Sequence, residues 1–284
     1  MDVPGQPLMA STPDLPDGAR LHPLNRDFHW RDRPRTGLRR LTPAQVEAFD
    51  RDGFFVFEDA FTPAEIAAVT AAIDPLEKQT DEFVRDKKGG RHVLSTTGAI
   101  TFTAHIVGRS PILADFARHP VIRDLCHDLI GPDVRLYWDQ SVYKKTEKLQ
   151  DFPWHQDNGY TFIEPQQYLT LWIPLVDVDE ENGCPWIAPG LHRLGTLAHE
   201  VSPIGLVCLR SATQAVAAPA RAGDIVVFSS LAPHRTGPNL RSGSVRKAYI
   251  LQYAPEGAIT RLPDGRMLTQ TDPVRQFKIL EGGA

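Results

Sequence analysis

The sequence predicts a mainly β domain with flanking helices, an antiparallel sandwich or barrel of the jelly-roll, cupin-like type. Three observations carry that prediction. Helical signals gather between Thr42 and Gly131, and short strand and turn signals fill the chain beyond. Those strand segments recur at close intervals, as antiparallel sheets with tight connections require. No βαβ alternation, Gly-rich phosphate loop or internal repeat breaks this order.

Residues 1–40 carry Pro4, Pro7, Pro13, Pro16, Pro23 and Pro34 among charges and read as an extended N-terminal arm. A single domain is expected over residues 41–284. Thr42-Pro43 supplies an N-cap and first helical position, with Val46 and Phe49 at helical spacing and Asp52-Gly53 as the stop. Phe54 to Phe57 is a short apolar strand. Thr62-Pro63 caps a second helix with Ile66, Val69 and Ile73 on one face. Residues 81–108 mix charge and glycine; the run Lys87-Lys88-Gly89-Gly90-Arg91 reads as a solvated loop, with a lid over a pocket as the lesser alternative. Residues 111–130 read as helix, burying Ile112, Phe116, Ile122, Leu125 and Leu129, and Gly131-Pro132 ends it.

Strands follow. Val134 to Lys144 alternates, placing Val134, Leu136, Trp138, Gln140 and Val142 on one side. Leu169 to Val176, Trp186 to Ala188, Leu206 to Leu209, Ile225 to Phe228 and Arg246 to Tyr253 are the other candidates, with Asn182-Gly183, Pro238-Asn239 and Ser242-Gly243 as turns.

Bulk properties narrow the function. A length of 284 residues with 42% apolar side chains supports a substantial core. A net charge of −4 offers no basic patch for nucleic acid or anionic lipid, so the expected partner is a small molecule, bound by a monomer or homodimer. Cys126, Cys184 and Cys208 are odd in number and far apart, which argues against a disulfide framework and a Cys-based zinc site and suits a reduced, cytoplasmic setting. Met1 to Gly18 shows no signal-peptide pattern, and no run approaches the roughly 18 apolar residues of a membrane span.

The chemistry gathers at Trp154-His155-Gln156-Asp157. In extended backbone His155 and Asp157 share one face and Gln156 turns away. With a distant histidine they are the parts of a two-histidine, one-carboxylate facial triad, which holds non-haem Fe(II) and leaves positions open for a chelating co-substrate and O2. His-x-Asp alone is weak, since a hydrogen-bonded surface pair has the same spacing. His234, with Thr236 at i+2, follows an apolar strand; His22, His29, His92, His105, His192 and His199 compete on composition. Arg246 opens a strand whose same-face neighbours are Ala248, Ile250 and Gln252. A guanidinium pointing inward needs an anion, either the far carboxylate of 2-oxoglutarate or a protein acid, Asp224 or Asp177. Tyr160 and Phe162 border the pocket or simply pack. Lys144 is a further candidate, with an exposed lysine as the alternative.

The runs Trp154-His155-Gln156-Asp157, Asn182-Gly183-Cys184, Pro189-Gly190-Leu191-His192 and His234-Arg235-Thr236-Gly237-Pro238-Asn239, with Arg246 twelve residues past His234, resemble the phytanoyl-CoA dioxygenase family of Fe(II)/2-oxoglutarate oxygenases. Leu41 to Phe54 and Asp264 to Phe277 resemble it too, so the likeness spans roughly residues 41–281. It implies a double-stranded β-helix, His155, Asp157 and His234 as iron ligands, and Arg246 as the 2-oxoglutarate anchor, with Fe(II), 2-oxoglutarate and O2 as the reaction partners. Thr236 stands where the family often has a serine that helps bind that carboxylate, and Trp172 and Gln140 fall on strands expected to line the same pocket. In Gly190-Leu191-His192 the family commonly has a serine before the histidine, where this chain has Leu191, in a loop of structural character. The resemblance further implies hydroxylation of a small-molecule C–H bond, since related halogenases keep the position of Asp157 small. A cupin-like isomerase or hydrolase, or a non-catalytic metabolite-binding jelly roll, is the alternative.

Overall fold

Thr42 and Thr62 each begin a helix through a reciprocal capping box. The Thr42 hydroxyl accepts from Gln45 N while Gln45 Oε1 accepts from Thr42 N, and Thr62 pairs in the same way with Glu65. The first helix, Pro43–Asp52, ends at Gly53, whose φ of 82° is the left-handed region where glycine is favoured. The computed structural model of the protein describes residues 14–16 and 18–284, so the expectation for the first part of the arm lies outside the described residues.

The second helix, Pro63–Arg85, is longer than the sequence suggests. Its buried stripe Ile66, Val69 and Ile73 continues as Glu77, Asp81 and Val84, so two acids interrupt the apolar periodicity. They are buried because Lys145 Nζ lies 3.2 Å from Glu77 and 2.9 Å from Asp81, and Thr101 donates to Glu77. The expected loop over 81–108 is therefore corrected. The charged run at 87–91 is exposed, but beyond it lie a small hairpin, Arg91–His92 with Ser95–Thr96, and the strand Ile100–Ala104, which joins the main sheet. The expected single helix over 111–130 is two, Pro111–Phe116 and Pro120–Leu129. Pro120 cannot donate into the preceding turn and instead starts the second helix. That break leaves Ile112 50% exposed and buries Leu113 in its place.

The main sheet is antiparallel and runs in the order Phe54–Phe57, Ile225–Ser229, Leu169–Pro174, Arg246–Pro255, Val134–Lys144, Ile100–Ala104, Ser95–Thr96 and Arg91–His92. Lys278–Leu280 also pairs with Val134–Lys144. A smaller sheet runs Val216–Ala217, Pro185–Ile187, His234–Thr236, Phe152–His155. This is the jelly roll expected from the strand pattern. One face of the main sheet packs on the helices through Leu136, Tyr143, Leu171, Val227, Tyr249 and Leu251, and the other looks toward the smaller sheet.

Val134–Lys144 does not keep one face throughout. Trp138 pairs with Gln252 but Leu136 pairs with Tyr253, a bulge that leaves Tyr137 as the extra residue. Val134 and Leu136 therefore enter the helix-facing core, whereas Trp138, Gln140 and Val142 face the cavity between the sheets.

Residues 18–40 lie along the domain. Leu21 bridges Leu197, the Asn25 amide donates to the Leu194 and Thr196 carbonyls, and Trp30 Nε1 donates to Asp50. Asp128 accepts from the backbone N–H groups of Arg39, Arg40 and Leu41.

His192, in the loop after Gly190, is fully buried beside Trp30, and its Nε2 faces the Asp50 carbonyl. Burial pulls its pKa down to about 3. The unfolded chain then binds a proton that the fold refuses, so this contribution is complete above about pH 6.5 and is lost as pH falls toward 3. His199, buried and held at about 4, acts in the same sense. Urea midpoints are expected to fall across pH 6.5 to 4, and the slope is expected to flatten in His192→Asn.

Candidate metal centre and its pocket

The strand Phe152–His155 pairs with His234–Thr236 so that His155 and His234 are direct cross-strand partners, their ring centroids 4.1 Å apart. After His155 the backbone stays extended at Gln156 (φ −111°, ψ 144°) and then turns into the short helix Asp157–Tyr160. Asp157 thereby comes to the side of His155. Gln156 faces the opposite way and is fully buried, its amide donating to the Gly195 and Leu231 carbonyls and accepting from Leu197 N. This clamp fixes the backbone between the two.

Both imidazoles reach Asp157 through Nε2, each 3.8 Å from Oδ1, and the three donor atoms lie within 4.8 Å of one another. Among the described residues no other group of three such donors converges. His155 Nδ1 lies 2.8 Å from the Pro153 carbonyl and His234 Nδ1 lies 3.0 Å from that of Ala232. Carbonyls only accept, so both rings carry the proton on Nδ1 and turn the Nε2 lone pair inward. Burial, with His234 beside it, holds the His155 pKa well below its ordinary value, so the ring is neutral, as metal ligation requires. Asp157 Oδ2 accepts from Thr170 Oγ1 at 2.6 Å, leaving Oδ1 toward the histidines. Two inward-facing imidazole nitrogens and one carboxylate with open space beside them suit a divalent iron.

Thr170 had no role in the sequence reading, although it lies two residues before Trp172 on the same strand face. Thr170→Val keeps the shape and removes the hydrogen bond. Its metal affinity or turnover is expected to fall about 10- to 100-fold, checked by Fe(II) titration of the metal-free protein.

These groups open into a cavity of about 300 Å³. On the main sheet, rows of side chains cross its floor: Trp138, Gln252, Thr170 and Phe228 in one, and Gln140, Ile250 and Trp172 in the next. Arg246, Thr236, Trp172, Gln140 and Tyr160 all line the cavity, together with the three donors.

Arg246 is 1% exposed. One Nη donates to the Val142 carbonyl at 3.2 Å, Nε has no partner, and the guanidinium lies 5.3 Å from the centre of the Trp172 ring. Among the described residues no carboxylate pairs with it. Asp224 accepts from Asp59 N and Arg221 N, and Asp177 accepts from Ala222 N, so both protein acids are engaged elsewhere. Burial pulls the Arg246 pKa down to about 9, still cationic at neutral pH. A buried cation without an anion is costly. It fits a ligand carboxylate entering the same cavity, as 2-oxoglutarate would.

Two expected placements are corrected. Phe162 does not border the cavity: strand alternation puts Thr161 at the wall and turns Phe162 outward, where it stacks on His22 at 4.8 Å. Lys144 is neither exposed nor a free pocket cation. It is fully buried, and its Nζ donates to the carbonyls of Gln150, Thr236 and Gly237, tying down the turn after His234. Tyr160 does line the cavity, but its hydroxyl accepts from Leu206 N.

The family model described as Phytanoyl-CoA dioxygenase (PhyH) matches residues 49–248, well over half of the chain. The ectoine dioxygenase of Bordetella parapertussis is 27% identical over 157 residues, a match covering 54% of this chain and 50% of that protein. The chain thus spans about half the length of such curated relatives. Phytanoyl-CoA dioxygenase domain-containing protein 1 of Rattus norvegicus is 24% identical over 280 residues, covering 81% of this chain and 96% of that one. Among solved structures, the epimerase SnoN in complex with Fe3+, alpha ketoglutarate and nogalamycin RO shares the fold with a TM-score of 0.61 and 22% identity, covering 82% of this chain and 94% of that one. EvdO2 from Micromonospora carbonacea var. aurantiaca, complexed with 2-oxoglutarate, also gives 0.61 and 22%, covering 83% and 96%. With the family match extending from Phe49 through both strands that carry the histidines to Ala248, the chain belongs to the phytanoyl-CoA dioxygenase family.

Proposed function

We propose that the protein is an Fe(II)- and 2-oxoglutarate-dependent oxygenase that hydroxylates an unactivated C–H bond of a small-molecule metabolite, with release of succinate and CO2. The observation that carries this reading is the Arg246 guanidinium, buried without a protein carboxylate in the cavity that also holds His155, Asp157 and His234. In a cupin-like isomerase or hydrolase without 2-oxoglutarate the guanidinium would pair with a protein carboxylate, and among the described residues none does.

Bound iron and 2-oxoglutarate together supply the oxidising equivalent drawn from O2, one oxygen atom going to succinate and the other to the substrate hydroxyl. The chain does the rest. His155 and His234 turn Nε2 toward the metal position because backbone carbonyls accept from their Nδ1. Asp157 contributes one anionic oxygen, steadied by Thr170. Arg246 would hold the distal carboxylate through its guanidinium, and Thr236 lines the same cavity. Trp172, 5.3 Å from the guanidinium, keeps water from that charge pair, and Phe228 packs on the His234 ring at 4.5 Å. Trp138, Gln140 and Tyr160 face the remaining space, where one substrate C–H bond must be held close to the metal.

The test is succinate release from the Fe(II)-loaded protein supplied with 2-oxoglutarate, O2 and fractionated metabolite pools. Succinate that appears only with Fe(II), and rises with a fraction in which a product 16 mass units heavier accumulates, is the expected result. Product formation independent of 2-oxoglutarate would overturn the reading.

A further inference from the structure

Three observations at the cavity mouth point to the substrate. The first is charge. Apart from the three metal-site donors and Arg246, the lining contains no lysine, arginine, aspartate or glutamate. The exposed Lys87 to Arg91 run does not reach it: Lys87 sits over the Phe83 ring and the Arg91 guanidinium donates to the Pro203 carbonyl. A charged substrate would therefore lose its hydration without meeting a counter-ion. The second is polarity. The side-chain amides of Gln140 and Gln252 face the cavity and, among the described residues, make no hydrogen bond to protein. They can serve a hydroxyl or carbonyl group.

The third is strain. The hairpin Arg91–His92 to Ser95–Thr96 turns on Val93 and Leu94. Val93 has a φ of 51°, in the left-handed region that β-branched residues avoid, and is 81% exposed, yet it lines the cavity mouth. An apolar, strained and exposed side chain at a turn is unfavourable for folding on two counts, and a ligand pressed against it would relieve the exposure. The Arg91–Pro203 contact joins this hairpin to the one formed by Glu200–Ser202 and Gly205–Val207, which packs on Tyr160 through Leu206 N. The second hairpin thus buttresses the first from outside, and of the two only the Val93-Leu94 turn lines the cavity.

We propose that Val93 is the specificity-determining contact of this site, and that the substrate is an uncharged molecule with a broad apolar face and at least one hydroxyl or carbonyl group, entering past the Val93-Leu94 turn. This rests on the oxygenase reading for the identity of the site, though not for its binding properties. The apolar face lies under Val93, Leu94 and Phe102, while the polar group reaches Gln140 or Gln252.

A series on one aromatic frame tests it: 1-naphthol, 1-naphthoate and 1-naphthylmethylammonium, titrated calorimetrically without oxygen into the full chain in the presence of saturating Fe(II) and 2-oxoglutarate, so that Arg246 already holds its carboxylate. 1-Naphthol is expected to bind about ten-fold or more tightly than either ion. Val93→Asn, whose side chain tolerates the left-handed region, is expected to weaken 1-naphthol about ten-fold while leaving the thermal midpoint unchanged or higher. A purely structural turn residue would not show that split. Equal or tighter binding of either ion, no binding of 1-naphthol, or undiminished binding in Val93→Asn overturns the proposal. Selective 1-naphthol binding by a protein that shows no Fe(II)- and 2-oxoglutarate-dependent chemistry would instead support the pocket assignment and remove the oxygenase reading.

Discussion

Asp157→Ala is expected to abolish Fe(II) retention and all 2-oxoglutarate turnover in chloride-free buffer while leaving the fold intact. The carboxylate supplies the single anionic oxygen of the donor set, within 3.8 Å of both imidazole nitrogens. Without it two neutral rings remain, too weak a site to hold a divalent iron in water. Losing a mere hydrogen-bond partner of a ligand costs about 10- to 100-fold, so losing the ligand itself is expected to exceed that range. The fold survives because, among the described residues, the one side-chain hydrogen bond lost is to Thr170, whereas the local backbone is held by Gln156. Fe(II) titration beside a urea midpoint separates the two effects. An unchanged metal affinity would show that the iron, if bound, sits elsewhere.

Arg246→Met is the second large effect, and it runs in opposite directions for binding and stability. Leaving the 2-oxoglutarate carboxylate without its guanidinium costs about 2–5 kcal/mol, roughly 30- to several-thousand-fold in affinity. The ligand-free protein, by contrast, is expected to become more stable by at least about 1 kcal/mol, since an apolar side chain replaces a buried cation that has no protein anion. The sign follows from the pKa. Arg246 sits at about 9 in the fold against an ordinary 12.5, so the unfolded state binds the proton more strongly. The destabilisation is complete below about pH 9 and is relieved only as pH rises from there toward 12.5. At neutral pH the whole penalty is present. Thermal midpoints with and without 2-oxoglutarate check both halves: the wild type gains from the ligand, and the variant starts higher and gains nothing. A variant that starts lower would show that Arg246 has a stabilising partner in the protein.

Much of the metal centre was legible because its parts are local. His155 and Asp157 are two residues apart in extended backbone, and His234 and Thr236 repeat that spacing on the strand beside them. Sequence patterns could not show whether Arg246 had a protein acid to pair with, since that depends on where Asp177 and Asp224 find their own donors. The burial of Lys144 was invisible for the same reason: its acceptors are backbone carbonyls, which carry no sequence signal. In the fold, the helix Pro63–Arg85 was cut short because its buried face turns acidic at Glu77 and Asp81, and only the distant Lys145 makes that tolerable. The bulge at Tyr137 hides in an alternation that looks regular, so Leu136 and Trp138 were placed together although they enter different cores. Val93 left no trace, since its importance lies in a backbone angle.

The most direct test of the account is an anaerobic titration of the metal-free protein with Fe(II) and then 2-oxoglutarate, followed by visible absorption. Chelation of the keto acid by ferrous iron held by His155, Asp157 and His234 is expected to produce a weak charge-transfer band that is absent in His155→Ala and needs far more 2-oxoglutarate in Arg246→Met. A protein that takes up iron fully yet shows no band, or an Arg246→Met variant that titrates like the wild type, would contradict it.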